Sequence, residues 1–333
     1  MPHYQRYLLF ISIIFAPMKR DLKLDTLKGI LIILVVFGHI IERTNGDGGI
    51  GNKIYEYIYI FHMPLFIFIS GFLTKPKDSF KSYGKSIAFI LLPCCIFHCI
   101  HVVGLLLSGY SFDRQFCLIP SWTLWFLVSL AYWRTFIQFF PNLLNKYPLI
   151  SFCTSIIISL ICGLLPGGSI FAIQRTMHFL PFFLLGYYIG NGIYTSISIP
   201  KPLALGSLLV IGLLVLFNIM PHDSISLLYG SIPYGYDRII PKAYLLLCSF
   251  IMTFSIYNLC EENLFFARIG KDSLIYYLYH GLLIVFILTP AISRYNLPSG
   301  NIFYCVLYTA FLFVIIAAGK KLKFFTFIVY PFK

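Results

Sequence analysis

Two histidines lie within strongly apolar stretches of this chain. His39 follows Gly38 near the end of the first stretch, LDTLKGILIILVVFGHIIE, and His62 lies in the next one, within FHMPLFIFISGF. An imidazole can take up and release a proton near neutral pH, so a positioned histidine suits general acid–base chemistry. If the two stretches are antiparallel neighbours, both rings lie at a similar level and can line one cavity. Each ring could equally do no more than hydrogen-bond to a neighbouring segment.

Few groups can orient His39. Asp25 precedes it by fourteen residues, about 21 Å along a helix, which is too far for a contact. Glu42 comes one turn after it and can reach the ring if the helix continues that far. No cysteine or carboxylate shares the level of the two histidines with the spacing of a metal site, so no metal is expected.

The composition excludes a soluble domain as the main body of the chain. Of its 333 residues, 59% are hydrophobic and 11% are charged, and the mean hydropathy is +0.85. Soluble domains carry roughly 25% charged residues. Aromatic residues make up 18%, and many of them flank apolar stretches, as in the interfacial belts of membrane helices. The sequence therefore predicts an all-α integral membrane protein in contact with lipid.

A membrane-spanning helix needs about 20 mostly apolar residues. Charges, prolines, glycines and asparagines divide the chain into about ten such helices, which form the predicted bundle. They lie at residues 24–42, 53–73, 86–108, 121–140, 148–165, 178–192, 202–220, 240–260, 272–291 and 301–319.

The basic residues are distributed unevenly over the two sides of this bundle. With both termini on one side, that side carries 18 of the 25 lysines and arginines, and the other side carries seven. Because cytoplasmic loops are enriched in lysine and arginine, both termini are predicted to be cytoplasmic. His39 and His62 then lie in the outer half of the membrane. The net charge of +13 is explained by this topology, and no nucleic-acid partner is expected.

The chain is predicted to form one membrane domain with short ends. Residues 1–20 form an N-terminal cytoplasmic segment, residues 21–320 the membrane domain and residues 321–333 a basic cytoplasmic tail. Met18 directly precedes KRDLKLD, so the first residues reflect a mis-assigned start codon, an amphipathic surface segment or a signal peptide. A small-residue cleavage site, which a signal peptide needs, does not follow.

Five motifs, in order along the chain, resemble those of the acyltransferase 3 family of integral membrane O-acyltransferases. LDTLKGILIILVVFGH resembles the first-helix signature of that family, and FHMPLFIFISGFL its second-helix motif. PSWTLWFLVSL, RTMHFLPFFLLGYYIG and IGKDSLIYYLYH are similar to three later elements. The resemblance covers residues 22–280, with the tenth helix following. Within the family, the chain resembles the fucose 4-O-acetylase-like subgroup.

This resemblance implies transfer of an acetyl group from acetyl-CoA to a hydroxyl of an extracytoplasmic glycan, such as lipopolysaccharide, capsule or exopolysaccharide, at a bacterial inner (plasma) membrane. It implies that His39 is catalytic, either as a general base or as a transient carrier of the acetyl group. His62 is a second catalytic candidate. Trp125, Arg175 and Ser70 are candidates for substrate binding and for donors to the oxyanion of the tetrahedral intermediate.

The phosphates of the donor are expected to meet the basic loop at residues 74–85. Lys81 and Lys85, in KSYGK, lie four residues apart and so share one helix face. Many family members have arginines in this region, whereas lysine binds phosphate without the bidentate fork of arginine. Cytoplasmic topology alone explains the charge of this loop equally well.

Two other functions stay open on the sequence. A transporter or flippase for a glycan or lipid-linked sugar could use the histidines as proton relays, although such folds often show repeated halves and no repeat is evident. A structural membrane subunit would not need a histidine at the end of its first helix.

Overall fold

In the computed structural model of the chain, residues 21–44, 49–165, 170–230 and 232–330 are described, and they form helices joined by turns and short connections. In chain order these helices are α1 (Leu22–Thr44), α2 (Ile50–Phe72), α3 (Phe80–Leu107), α4 (Gln115–Leu118), α5 (Trp125–Phe139), α6 (Pro141–Lys146), α7 (Pro148–Ile161), α8 (Ile173–Gly190), α9 (Lys201–Leu216), α10 (Ser224–Tyr229), α11 (Ile239–Leu259), α12 (Leu264–Lys271), α13 (Ser273–Leu283), α14 (Thr289–Tyr295), α15 (Ile302–Gly319) and α16 (Lys323–Val329). A π-helical turn, Ile284–Leu288, joins α13 to α14.

Six helical segments of the described chain are long and apolar enough to cross a membrane. They are α1, α2, α3, Tyr236–Leu259, Ser273–Tyr295 and α15. Pro148–Leu164 and Lys201–Leu216 are shorter apolar helices. The all-helical, multi-pass membrane architecture expected from the composition is therefore present, and each of the ten predicted segments contains a helix. That all ten cross the membrane, and that both termini are cytoplasmic, remain predictions.

Two helices begin earlier than the sequence suggests. α3 starts at Phe80, because the Ser79 hydroxyl caps it by accepting a hydrogen bond from the Ser82 amide at 3.2 Å. Lys81 and Lys85 consequently lie in the first turns of a helix and not in a loop. α8 starts at Ile173, five residues before the predicted start, so Arg175 belongs to the helix and is held by its backbone.

Close backbone contact between α2 and α8 fixes the centre of the bundle. A Cβ placed on Gly71 would lie 2.0 Å from the Phe183 carbonyl oxygen, and one placed on Gly186 would lie 2.0 Å from that of Phe68. Small residues at these crossings let the two backbones approach as membrane helices commonly do. α2 also carries His62 and α8 carries Arg175, each about two to three helical turns from this crossing.

The two ends of the chain differ in what the structure describes. The predicted N-terminal segment, residues 1–20, lies outside the described residues, and it includes Met18, the alternative start. In the predicted basic tail, α16 packs back on the bundle, where the Phe325 ring stacks on Tyr279 at a centroid distance of 3.5 Å.

Candidate active site

A polar cavity of about 650 Å³ opens at the end of the bundle where α1 ends and α2 begins. Residues from α1, α2, α5, α8 and α10 line it. Besides His39, the ionisable and aromatic side chains in the lining include those of Glu42, Tyr55, Tyr59, Trp122, Trp125, Arg175 and Tyr229. The polar part includes Asn52, Glu56, His222, Asp223, Ser224 and Ser226. The cavity therefore joins a basic group, hydrogen-bond donors and aromatic surfaces, which is the composition of a site for a polar ligand.

His39 is held by two partners on the same edge of its ring. Its Nδ1 lies 3.0 Å from Glu42 Oε2 and 3.1 Å from the Tyr59 hydroxyl, and that hydroxyl donates to Glu42 Oε2 at 3.4 Å. This arrangement fits the tautomer with its proton on Nδ1, which leaves the Nε2 lone pair to accept a proton. The His39 side chain is 15% exposed, so a ligand in the cavity can reach it.

Two further rings pack on His39 and fix its plane. Trp122 lies edge-on at a centroid distance of 4.4 Å, and the guanidinium of Arg43 in turn covers the Trp122 ring at 4.6 Å. His280 on α13 stacks on His39 at 5.4 Å with an interplanar angle of 23°. His280 is fully buried, and its Nδ1 lies 3.1 Å from the Tyr276 carbonyl oxygen. The imidazole of His39 is thus positioned from three sides and open toward the cavity.

Trp125 and Arg175 form another part of the cavity wall. The Arg175 guanidinium carbon lies 5.4 Å from the centre of the Trp125 ring, and Phe179 stacks on that ring at 5.5 Å. The Nε of Arg175 is buried and has no hydrogen-bond partner within the described part of the chain. A buried donor of this kind costs free energy until it is satisfied. Arg175 also lines the cavity, which makes its guanidinium a candidate to bind an acceptor oxygen there.

His62 lies one layer behind the cavity wall, contrary to the expectation that it shares the cavity with His39. It is 1% exposed, its Nδ1 lies 2.9 Å from the Ile58 carbonyl oxygen, and its ring packs on Tyr59 at 4.5 Å. The Tyr229 hydroxyl lies 3.4 Å from His62 Nε2. The position of His62 along α2 brings it close to the level of His39. Its ring, however, is covered by Tyr59 and Tyr229, and these two side chains line the cavity instead.

Ser70, Lys81 and Lys85 do not reach this cavity. Ser70 lies eight residues after His62, about 12 Å farther along α2, and its hydroxyl donates to the Phe66 carbonyl oxygen at 2.9 Å. Lys81 and Lys85 are exposed at the other end of the bundle. Of the predicted site residues, the structure brings His39, Trp125 and Arg175 together.

The short helix α10 supplies a wall that sequence reasoning missed. Its last residue, Tyr229, is buried against Tyr59 with a ring-centroid distance of 5.3 Å. Lys242, fully buried on α11, donates to the carbonyl oxygens of Leu227 at 2.7 Å and Leu228 at 3.1 Å, and so caps the end of α10. Nothing in the local sequence marks Tyr229 as a site residue, since contacts between distant segments place it.

Tyr59 and Glu42, by contrast, can be identified from their sequence spacing to the two histidines. Tyr59 precedes His62 by one helical turn, and Glu42 follows His39 by one turn, so both face the histidine level on their helices. Within the described ranges, no group of three or more histidine, cysteine, aspartate or glutamate side chains is placed to hold a metal ion.

Comparisons with known proteins agree with the motifs. The family model Acyl_transf_3, described as an acyltransferase domain, matches residues 21–320. The nodulation protein NolL of Sinorhizobium fredii (strain NBRC 101917 / NGR234) is 34% identical over 189 residues, which cover 50% of this chain and 48% of that protein. NolL of Mesorhizobium japonicum (strain LMG 29417 / CECT 9101 / MAFF 303099) is 40% identical over 81 residues, 22% of each chain.

The matched part of the chain spans about half the length of the first of these relatives. No solved structure matches the chain. The family match, by contrast, runs from the start of α1 to the end of α15 and includes every residue that lines the His39 cavity. This protein therefore belongs to the acyltransferase 3 family of membrane proteins.

Proposed function

We propose that this protein is an O-acetyltransferase of the bacterial inner membrane, which moves an acetyl group from cytoplasmic acetyl-CoA to a hydroxyl of an extracytoplasmic cell-envelope glycan. The observation that carries the proposal is the His39–Glu42–Tyr59 group at the edge of a cavity large enough for a sugar. Family membership supports acyl transfer as the reaction class. The acceptor class and the donor follow from the resemblance of the motifs.

In the proposed reaction, His39 acts as general base. A sugar hydroxyl is a weak nucleophile, so Nε2 of His39 takes its proton as the hydroxyl oxygen attacks the thioester carbonyl carbon. The tetrahedral intermediate collapses, the carbon–sulfur bond breaks, and the proton passes from His39 to the departing thiolate. An ester of the sugar and the free thiol of CoA are the products, and His39 returns to its starting state.

Glu42 and Tyr59 act on His39 and not on the substrate. A carboxylate on Nδ1 keeps the ring in the tautomer that can accept a proton on Nε2, and it stabilises the imidazolium that forms during attack. Tyr59 holds that carboxylate in place through its own hydrogen bond. His62, behind Tyr59 and Tyr229, is proposed to position these two rings.

Arg175 and Trp125 are proposed to bind the acceptor and the developing oxyanion. Arg175 lines the cavity and is a permanent cation, so its guanidinium can donate to negative charge there, where such a hydrogen bond is stronger than in water. Trp125 lines the cavity but is only 7% exposed, with Phe179 stacked on its ring, so it is proposed to contact the acceptor through the small part of its surface that stays open. Substrate contact by Ser70 is not part of this proposal, because Ser70 lies away from the cavity.

The donor would enter from the cytoplasm, at the end of the bundle opposite His39. The basic residues near Lys81 and Lys85 are in the predicted cytoplasmic region, where they attract the anionic donor. The acetyl group then has to pass through the helix bundle to reach the cavity. A membrane body is needed for this reaction because donor and acceptor lie on opposite faces.

The proposal is tested by the surface glycan of the native host. Deletion of the gene should remove one acetyl ester from that glycan, as mapped by NMR and mass spectrometry, and expression of the wild-type chain should restore it. Membranes that contain the chain should also transfer label from acetyl-CoA to the de-esterified glycan. An unchanged ester pattern in the deletion strain, together with no labelled product, would reject this function.

A further inference from the structure

A second polar pocket lies at the end of the bundle opposite His39. It has a volume of about 60 Å³ and is formed by the connection after α2, the first turns of α3 and the second half of α5. Three of its lining residues are basic, namely Lys75, Lys77 and Arg134. Among the described residues, no aspartate or glutamate lines this pocket. The pocket thus collects positive charge without an internal counter-charge.

Hydrogen bonds between the three elements hold the pocket in shape. The Lys77 amide donates to Gln138 Oε1 at 2.8 Å, and Gln138 Nε2 donates to the Lys77 carbonyl oxygen at 3.0 Å. The hydroxyls of Tyr83 on α3 and Thr135 on α5 lie 2.7 Å apart. These contacts tie the connection and α3 to the face of α5 that carries Arg134, so the backbone at Lys77 is held beside that face.

Arg134 is only partly satisfied within this pocket. Its Nη1 donates to the Ser86 hydroxyl at 3.3 Å, whereas its Nε is buried and has no hydrogen-bond partner in the described ranges. Burial of an unpaired donor on a permanent cation is costly unless an acceptor is supplied. Lys75, Lys77, Lys81 and Lys85 are all exposed to solvent, but only Lys75 and Lys77 of these four line the pocket with Arg134.

We propose that Arg134, together with Lys75 and Lys77, binds a phosphate group of the acyl donor. That this phosphate belongs to the acyl donor rests on the proposed function, which names acetyl-CoA as the donor. A guanidinium fork and two ammonium groups around a small polar pocket match the oxygens of a phosphate. α5 also connects this pocket with the active site: Trp125 lines the His39 cavity, and Arg134 follows nine residues later, about 14 Å along the helix. A phosphate held here leaves the extended part of the donor directed along α5 toward His39.

The test measures equilibrium binding of CoA to the full chain in nanodiscs of phosphatidylcholine. Arg134→Gln should weaken CoA binding by at least about tenfold, and Arg134→Lys should weaken it less. The matched control Arg268→Gln, at an exposed position on α12 that does not line this pocket, should change CoA binding less than about twofold. A Lys75→Gln/Lys77→Gln double variant removes the two ammonium groups and leaves α5 unchanged, so it should also weaken CoA binding. Thermal unfolding of each variant shows that the fold is kept. CoA binding by Arg134→Gln equal to that of the wild type would overturn the proposal.

A lipid headgroup carries the same phosphate chemistry, and a second arm separates the two sources. In nanodiscs that contain phosphatidylglycerol, native mass spectrometry counts the lipids retained by each variant. Lipid lost specifically from Arg134→Gln, with its CoA binding unchanged, would assign the pocket to a headgroup and overturn the assignment to the donor. Binding of CoA that depends on Arg134, without any labelled acetyl transfer by the wild type, would keep the phosphate site and reject the proposed function.

Discussion

The carboxylate of Glu42 lies 3.0 Å from Nδ1 of His39, one helical turn farther along α1. The pair is part of the helix that ends at the polar cavity, so its geometry is set by the helix itself and not by a mobile loop. Tyr59, from α2, closes the group by contacting both partners. A carboxylate, an imidazole and a hydroxyl in this order form a base with a fixed tautomer, and the predictions below follow from it.

Replacement of Glu42 by glutamine should lower kcat for acetyl transfer by at least about tenfold, because the amide does not stabilise the imidazolium that forms on His39. The affinity for CoA should stay within about twofold of the wild-type value, since Glu42 is far from the proposed phosphate pocket. Initial rates with labelled acetyl-CoA, with equilibrium CoA binding alongside, measure both quantities.

Glu261→Gln is the matched control for that variant. Glu261 is an exposed carboxylate paired with Lys201 at 2.7 Å, away from the cavity. Its substitution should leave the rate unchanged. Equal rates for Glu42→Gln and Glu261→Gln would mean that the Glu42 carboxylate does not assist His39.

Replacement of Tyr59 by phenylalanine removes one hydroxyl and keeps the ring that packs on His62. The rate of transfer should fall by about tenfold, which corresponds to the loss of one hydrogen bond to a charged group. Tyr57→Phe on the same helix is the control, because its hydroxyl donates to the Leu208 carbonyl oxygen, outside the cavity. If both variants lose the same fraction of activity, a general loss of α2 packing explains the effect better than the role assigned to Tyr59.

Replacement of Gly38 by alanine should displace Tyr59. A Cβ at this position would lie 2.8 Å from Cε2 of the Tyr59 ring, closer than side-chain contacts allow. Because small displacements of a catalytic group are costly, we expect a loss of about tenfold to hundredfold in kcat/KM. Gly84→Ala, where an added Cβ would meet no atom within 4 Å, should retain full activity. Wild-type rates for Gly38→Ala would show that the Tyr59 position is not critical.

Replacement of Arg175 by glutamine should reduce kcat/KM by about 10²-fold, the typical effect of losing an oxyanion donor. A larger effect on kcat than on the KM for the acceptor would assign Arg175 to the oxyanion, and the reverse would assign it to acceptor binding. Arg294→Gln, at an exposed position, serves as the control. Unaltered kcat and KM in the Arg175 variant would remove it from the site.

Much of the fold could be predicted from the sequence because lipid imposes simple rules on composition. Apolar length and punctuation located every long helix of the described residues, and the position of His39 after Gly38 directed attention to the end of α1, where the polar cavity lies. The pairing of Glu42 with His39 could be named as a possibility, since residues one turn apart share a helix face. These features depend on residues near each other in the chain.

The rest of the site depends on how distant segments pack. His62 has the predicted level, but the rotation of α2 and the insertion of Tyr229 from α10 cover its ring. Ser70 was selected from the same motif although it lies about two helical turns away along the axis. The basic residues after α2 drew attention to Lys81 and Lys85, whereas the pocket forms where Lys75 and Lys77 meet Arg134 of α5. Such contacts carry no signal in a single sequence.

The most direct test of the account is acetyl transfer by the His39→Ala variant. Purified wild-type and variant chains in nanodiscs are supplied with labelled acetyl-CoA and the acceptor glycan, and CoA binding confirms that the variant is folded. We expect CoA binding within about twofold of the wild type and a rate of transfer lower by about 10²–10⁴-fold, the usual contribution of a general base. A rate of transfer equal to that of the wild type would contradict the central claim that His39 performs the chemistry.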